Sequence, residues 1–259
     1  VRQTIIEKFG IDDFYDMNSG VAHQVLVEKG HIVPGELVVG SDSHSTTYGA
    51  LGAAGTGMGF SEVAYVLATG EIWFQVPPTI KFVLKGALPL AVTSKDVLLF
   101  IAGKFGTDVA QYKAVEFSGP VADDMSIASR MTVSNMGVEI GAKFTFFHSD
   151  RKLTEFLAPR VQKSFSPCIP DSDATYEQTI DIDVSLLEPQ VARPHDVGNV
   201  CAVSELGEVP IDQAFLGSCT NGRLEDLEMA ASILAGKKVN PNTRLLVVPA
   251  SREVYQEAM

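Results

Sequence analysis

Cysteine is scarce in this chain, and long hydrophobic runs are missing. Three cysteines in 259 residues, odd in number and far apart, argue against a disulfide framework. No apolar run approaches the roughly 18 residues that a membrane helix needs, and the first residues lack the pattern of a signal peptide. These absences predict a cytoplasmic protein with reduced thiols and no membrane partner.

Positive charge is also in short supply. Lys and Arg total 20 against 32 Asp and Glu, which gives a formal net charge of -12 at pH 7. Nucleic acid and anionic membranes carry the same sign of charge, so neither is expected as a partner. An anionic substrate would need positive groups that are local to its site or that come from another chain.

The chain does contain an alternation of strand-like and helix-like segments. Residues 79–88 and 176–184 alternate as strands do, with acidic side chains outward in the second segment. Thr93 and Asp96 form a capping-box pattern before a helix. The alternation predicts an α/β fold of three-layer α/β/α domains with parallel sheets.

Two stretches that contain proline mark the expected domain boundaries. Pro77 and Pro78 end the first helical region, and residues 188–196 are interpreted as a linker. We predict a first α/β domain, a second, and the start of a third, over residues 1–76, 77–192 and 193–259.

One cysteine stands in a glycine-flanked turn. Cys219 lies in the run Gly-Ser-Cys-Thr-Asn-Gly-Arg, between a strand-like segment and a helix that Asn221 is expected to cap. Open α/β sheets bind ligands at the carboxyl ends of their strands. Cys219 is therefore a candidate ligand or nucleophile, expected to be reachable by solvent and to react with an alkylating reagent faster than Cys168 or Cys201. The alternative is a small buried hydrophobic residue.

A second polar cluster also follows a strand-like segment. Asp42, Ser43 and His44 place a carboxylate, a hydroxyl and an imidazole in succession, which suits proton transfer and ligand orientation. The alternative is an Asx-type turn followed by a surface histidine. The glycines over residues 49–59 match neither the P-loop nor the dinucleotide pattern, so they predict close backbone packing beneath a site.

A predicted helix over residues 127–141 carries Asn135 and Glu139, four residues apart and so on one face. A glutamate on a mostly apolar helix needs a partner, and so does His23 on its own short apolar helix. We predict the pairs Asp42–His23 and Glu139–His44. The alternative for His23 is a hydrogen-bonded core histidine.

Three motifs, in order, resemble the aconitase superfamily of iron-sulfur hydro-lyases. They are G-S-D-S-H before a glycine-rich run, S-N-M-G-V-E-I-G-A, and G-S-C-T-N-G-R. The two-subunit branch that acts on isopropylmalate gives the fullest match, over essentially the whole chain. The resemblance implies reversible dehydration of an alkylmalate, above all isopropylmalate in leucine biosynthesis, with homoaconitase or another malate-type hydro-lyase as the alternative.

The resemblance also implies roles for individual residues. His23, Asp42, His44 and Glu139 would be catalytic, as histidine-carboxylate pairs around the substrate. Ser43 and Asn135 would bind substrate, and Cys219 would be one ligand of a [4Fe-4S] cluster. A small subunit with a swivelling domain would be the partner, and an alkylmalate dicarboxylate the ligand.

Some features of that family are not found in these residues. Cys168 and Cys201 do not occupy its cluster positions, and one thiolate cannot hold a cubane. We therefore expect an internal fragment of a large subunit, inactive alone and without a bound cluster. Two further interpretations remain open from the residues alone: a non-catalytic scaffold, and a mononuclear metal hydrolase built on His23, Asp42 and His44.

Overall fold

The computed structural model describes residues 2–259, and the side chains of all of these except residues 2, 3 and 5. The α-helices are α1 (Arg2–Phe9), α2 (Ala22–Glu28), α3 (Phe60–Thr69), α4 (Ser94–Phe105), α5 (Pro120–Asp124), α6 (Ile127–Asn135), α7 (Arg151–Leu157), α8 (Leu224–Leu234) and α9 (Arg252–Ala258). The strands are β1 (Leu37–Gly40), β2 (Ala54–Gly57), β3 (Thr79–Lys85), β4 (Ala114–Ser118), β5 (Phe144–Phe147), β6 (Gln178–Asp183), β7 (Gln190–Ala192), β8 (Val200–Ala202), β9 (Gln213–Leu216) and β10 (Arg244–Val247). Short 3-10 helices cover Ser43–Leu51, Met136–Ile140 and Val203–Glu205.

These elements form two compact units. The terminal unit consists of the residues up to Val25 together with Asp212–Met259, and the central unit is Leu26–Ile211. The finer division into domains at residues 76 and 192 stays a prediction.

A parallel sheet of four strands, in the order β5-β4-β3-β6, organises the central unit. Along β6, Ile180 and Ile182 are buried while Asp181 and Asp183 face outward, as the alternation predicts. Since a parallel sheet needs helices on its faces, this arrangement confirms the predicted α/β class.

The core of this sheet is aromatic. The ring of Phe117 stacks between those of Phe82 and Phe147, with centroids 5.5 and 5.6 Å apart. Helix α4 packs against the sheet, and its start is the predicted capping box: Asp96 Oδ2 accepts from Thr93 N at 2.7 Å. Each fully buried aromatic or aliphatic side chain contributes about 1.5–3 kcal/mol to the free energy of unfolding.

A second, smaller parallel sheet in the central unit pairs β1 with β2. The 3-10 helix Ser43–Leu51 connects the two strands and is buried from Ser45 to Leu51. Its Tyr48 and Leu51 belong to an apolar cluster with Leu153 and Leu157 of α7. This cluster fixes the helix that follows β1 to the rest of the unit.

Two predicted elements differ from the structure. Residues 188–196 are not a plain linker, because β7 pairs there with β8 in an antiparallel ladder. The helix predicted over 127–141 changes to 3-10 winding at Met136. At three residues per turn, Asn135 and Glu139 no longer share a face: Asn135 is fully buried, and the Glu139 side chain is 36% exposed.

In the terminal unit, β9 and β10 pair in parallel, and α8 connects them. Gly20 bridges to Ser251, which caps α9 by accepting from Val254 N at 3.1 Å. Over residues 2–259, no helix combines the length and the apolar character needed to cross a bilayer.

Candidate active site

The loop after β1 is a tight turn built on Asp42. Its Oδ1 accepts from His44 N at 2.8 Å, and its carbonyl oxygen accepts from Ser45 Oγ at 2.8 Å. Asp42 is thus the N-cap of the 3-10 helix Ser43–Leu51. The Asx-type turn considered for this segment is therefore real, and the same turn sets the direction of the His44 side chain.

Both ring nitrogens of His44 have polar neighbours. Nε2 lies 3.2 Å from Glu139 Oε1, so the predicted contact between these two residues is confirmed. Nδ1 lies 3.3 Å from Ser43 Oγ and 3.5 Å from Asp42 Oδ1. Because a carboxylate only accepts hydrogen bonds, Glu139 requires a proton on Nε2, and in the neutral ring Nδ1 is then the acceptor for Ser43.

The electrostatics of Glu139 agree with this geometry. The hydrogen bond from His44 and, to a smaller extent, the charge of the ring hold the pKa of Glu139 below its usual 4.5, while partial burial acts in the opposite direction. Glu139 is therefore ionised at neutral pH and orients the imidazole. Its partial exposure limits the energy of the pair.

A buried hydrogen-bond chain connects the two segments that carry this pair. Asn135 Nδ2 donates to Thr47 Oγ1 at 2.9 Å, and Thr47 Oγ1 donates to the carbonyl oxygen of His44 at 2.6 Å. Both Asn135 and Thr47 are fully buried. Asn135 thus positions His44 through Thr47, and its direct contact with substrate stays a prediction. Thr47 is not among the predicted site residues, and its only sequence signal is its place in the Ser-His-Ser-Thr-Thr run.

Two glycines of the predicted close-packing run allow backbones to meet beneath the pair. A Cβ on Gly49 would overlap the carbonyl oxygen of Thr145, and a Cβ on Gly57 would lie 2.6 Å from both Asp42 O and Ser43 Cα. Any other residue at either position would force the β1 loop away from its neighbours. The prediction of close backbone packing is confirmed.

In the terminal unit, Cys219 follows β9 in a strained turn. Ser218 has a φ of 77°, which is uncommon for a residue other than glycine. Cys219 is partly exposed, Cys168 is exposed and Cys201 is buried. Cys219 is therefore reachable by solvent, as expected, and its faster alkylation relative to Cys168 and Cys201 stays a prediction.

The helix after Cys219 begins differently from the prediction. Arg223, not Asn221, is the N-cap of α8, and its backbone N–H donates to Asp226 Oδ2 at 2.9 Å. The buried guanidinium donates to the carbonyl oxygens of Cys219, at 2.9 Å, and Thr220, at 2.6 Å. Burial lowers the pKa of Arg223, and the charges of Asp226, Glu225 and Cys219 oppose that shift. A buried arginine, which sequence patterns did not single out, therefore holds the Cys219 backbone.

His23 is buried on α2 in the terminal unit. Its pairing with Asp42, a residue of the central unit, stays a prediction. Within either unit, no three His, Cys, Asp or Glu side chains of residues 2–259 are grouped as a metal site. The terminal unit holds one cysteine, Cys219, so these residues alone do not fit an iron-sulfur cubane.

The fold and the site define an α/β protein with its candidate active site at the ends of parallel strands. Polar side chains follow β1 and β9, and a histidine-carboxylate contact lies after β1. The chain belongs to the aconitase family (aconitate hydratase), which it matches over residues 3–259.

Several proteins similar to this chain are named as 3-isopropylmalate dehydratase large subunits. The chain is 48% identical to 3-isopropylmalate dehydratase large subunit 1 of Methanopyrus kandleri and 49% identical to the probable 3-isopropylmalate dehydratase large subunit of Methanothermobacter thermautotrophicus, over 100% of its own length in both cases. It is 48% identical, over 96% of its length, to 3-isopropylmalate dehydratase large subunit 1 of Pyrococcus furiosus. The chain spans 60–62% of the length of these relatives.

Proposed function

We propose that this chain is part of the large subunit of a hydro-lyase that interconverts 2-isopropylmalate and 3-isopropylmalate by removing and adding water. The observation that supports this most is the His44–Glu139 contact after β1, in a chain nearly half identical to isopropylmalate dehydratase large subunits over its whole length. The contact provides an oriented imidazole at the end of a strand, where an α/β sheet presents its ligand site.

Dehydration of a hydroxy acid needs a proton for the departing hydroxyl and a base for the carbon-bound hydrogen. In our proposal, His44 and Glu139 hold and move one of these protons, with the carboxylate fixing the ring through Nε2. Asp42 shapes the turn and lies beside Nδ1, and His23, buried on α2, is a further proposed catalytic histidine. Ser43 binds a substrate carboxylate, and Asn135 holds the His44 backbone from below.

The proposed cofactor of the complete protein is a [4Fe-4S] cluster. When bound, such a cluster supplies an iron that acts as a Lewis acid on the hydroxyl group. Cys219 is the proposed ligand from this chain, and the other ligands would lie outside residues 1–259. The strained Ser218 backbone and the two hydrogen bonds from Arg223 support Cys219, since they fix the turn that carries its thiol.

The proposed partners are a small subunit with a swivelling domain and an alkylmalate dicarboxylate. A reducing cytoplasm is the proposed compartment, since Cys168, Cys201 and Cys219 are in no disulfide bond.

The test is activity of the complete large subunit with its small subunit, iron and sulfide. We expect turnover of isopropylmalate above that of homoaconitate, dimethylmalate or citrate. His44→Gln and Glu139→Gln should each lower kcat by about 10²–10⁴-fold. Cys219→Ser should reduce the iron content and the broad visible absorption of the cluster.

The matched control is Glu155→Gln, the same change at an exposed glutamate of α7 that pairs with Arg151, and it should leave kcat nearly unchanged. Full activity of His44→Gln would reject the proposed role of the pair, and preference for another acid would reject the substrate. Turnover of isopropylmalate by the 259-residue chain alone would reject the need for further cluster ligands and for the small subunit.

A further inference from the structure

A wide apolar groove lies between β1 and α3 in the central unit, and the proposed chemistry does not use it. Its volume is about 980 Å³. The apolar side chains that line it come from β1, from α3 and from the segment after α3, and they are Leu37, Val39, Tyr65, Val66, Ile72 and Trp73. Trp73 is 84% exposed. Single exposed apolar residues are common on protein surfaces, whereas a contiguous set of them marks an interaction surface.

Helix α3 is apolar and yet has no buried face. Its sequence is Phe-Ser-Glu-Val-Ala-Tyr-Val-Leu-Ala-Thr, and among these ten residues, all of which the structure describes, none is buried. Phe60 and Leu67 are among the most exposed apolar side chains of the central unit. Most of the stability of a protein helix comes from packing of its apolar face. Helix α3 therefore has the composition of a packed helix without the packing.

Strand β1 has an open edge beside this groove. The carbonyl oxygen of Gly40 accepts from Met58 N at 2.9 Å, so alternate residues of the strand direct their backbone groups toward β2. The backbone groups of Leu37 and Val39 point to the opposite edge, where no strand of residues 2–259 pairs with β1. Parallel sheets are normally covered on both faces, and an unpaired edge can accept a further strand.

We propose that the edge of β1 and the adjoining groove bind a strand-forming apolar segment of the complete large subunit, from outside residues 1–259. The proposal rests on the proposed function in one respect, since it takes this chain to be part of such a subunit. The chain spans 60–62% of the length of its relatives, so a polypeptide of their length has enough further residues to supply the segment. A strand added to β1 would place alternate side chains over Leu37 and Val39.

Charge argues against a second copy of this chain as the occupant. The charged side chains that line the groove are Glu62 and Glu71, both acidic. A two-fold contact between identical grooves would bring these carboxylates together, in chains that each carry a formal net charge of -12. Like charges placed opposite each other make an interface unfavourable. A segment with basic residues beside its apolar ones fits this groove better.

The apolar character of the surface also argues against a partner that separates. Interfaces that form permanently are more hydrophobic than those that open and close. Besides the six apolar side chains, the lining contains Ser61, Gly70 and the two glutamates. A segment of the same polypeptide, which stays in place once folded, is therefore favoured over the small subunit.

Hydrogen exchange read by mass spectrometry tests the proposal, on peptides that cover residues 37–40 and 60–73. The 259-residue chain is compared with the complete large subunit in the absence of the small subunit. Exchange at the amides of Leu37 and Val39 should be at least about 100-fold slower in the complete subunit. The reason is that edge amides open with almost no cost in free energy, whereas amides inside a sheet open only with larger unfolding events.

Val66→Lys places a charge in the groove and separates the two proteins further. In the 259-residue chain it should leave the urea midpoint nearly unchanged, because the groove is open. In the complete subunit it should remove the protection of residues 37–40. Leu90→Lys is the matched control, since Leu90 is equally apolar and exposed but lines no part of the groove. If Val66→Lys prevents folding of the complete subunit, Trp73→Ala should still speed exchange at Leu37 and Val39, and unchanged exchange would count against the proposal.

Three results would overturn the assigned occupant. They are equal exchange in the chain and the complete subunit, protection that appears only when the small subunit is added, and protection in the 259-residue chain that increases with its concentration. None of these depends on turnover. A complete subunit that protects β1 but converts no isopropylmalate with its small subunit would reject the function and keep the surface. Turnover without protection would do the opposite.

Discussion

The Asp42–His44 loop and the Gly217–Arg223 loop both follow a strand of a two-stranded parallel sheet, yet different forces hold them. The first loop leads into a 3-10 helix that is buried against the apolar cluster of Tyr48 and Leu51. The second is fixed by polar contacts from Arg223. Among the described residues, the buried apolar side chains of the terminal unit are few: Val25, Leu227, Ala250 and Val254.

The difference teaches how each candidate residue keeps its position. Distant parts of the central unit bring His44 and Glu139 together, 95 residues apart in sequence, so their contact depends on the whole unit. The Cys219 turn depends on residues within seven positions of it, through Arg223 and Asp226. Changes in the core should therefore disturb His44 and leave the local structure of the Cys219 turn unchanged.

The largest expected loss of stability comes from Asp150→Asn in the central unit. Asn caps α7 as well as Asp does, but Arg130, which is 1% exposed, loses its counter-ion. Leaving a buried charge unpaired costs about 3–5 kcal/mol in free energy of unfolding, measurable by urea denaturation. The control is Glu155→Gln, which removes the exposed Arg151–Glu155 pair and should cost at most about 0.5 kcal/mol. Equal losses of free energy of unfolding in the two variants would contradict the expected difference between a buried and an exposed ion pair.

The next effect comes from Thr47→Val, which removes the hydroxyl between Asn135 and His44. The loss should be about 1–3 kcal/mol, because a buried amide loses its acceptor. Thr145→Val is the matched control, since the Thr145 hydroxyl is equally buried and has no hydrogen-bond partner among the described residues. NMR of the His44 ring should change in the first variant only. A changed ring signal in both would show that packing, and not the hydrogen-bond chain, positions His44.

A smaller effect compares one cap in each unit. Ser126 caps α6 through Ser129 N at 3.0 Å, and Ser251 caps α9 through Val254 N at 3.1 Å. Replacing either by Ala should cost about 1 kcal/mol. In the terminal unit, with its few buried apolar side chains, that loss should increase hydrogen exchange throughout α9 and β10. In the central unit it should stay within α6. The reverse pattern would show that the terminal unit is the more stable of the two.

The smallest effect concerns the pH dependence of the His44–Glu139 pair. Because the pKa of Glu139 in the folded state lies below 4.5, its stabilising contribution is complete above pH 4.5 and disappears as the pH falls through the folded-state value. The wild type should therefore be slightly more stable than Glu139→Gln at pH 7, and the two should converge in acid. Urea denaturation across this range measures the difference. A gap that widens in acid would contradict the assigned direction.

Much of the fold follows from local patterns that tertiary contacts do not override. The alternation along β6 and the Thr93–Asp96 capping box are both present. Other local patterns gave wrong predictions, because tertiary packing alters the backbone conformation where they occur. A helical period over 127–141 does not reveal that the chain tightens at Met136, where Gly137 packs against the Thr145 side chain.

The sequence by itself determined the family, the α/β class and the identity of the polar residues in the candidate site, because motifs and periodicity are properties of neighbouring residues. Only the tertiary structure decided that Glu139 lies 3.2 Å from His44, that Thr47 connects His44 to Asn135, and that Lys143 lines a cavity with Ser43. Those contacts join segments separated by 88 to 100 positions along the chain. Their formation depends on how the sheets and the apolar clusters pack, which no local pattern contains.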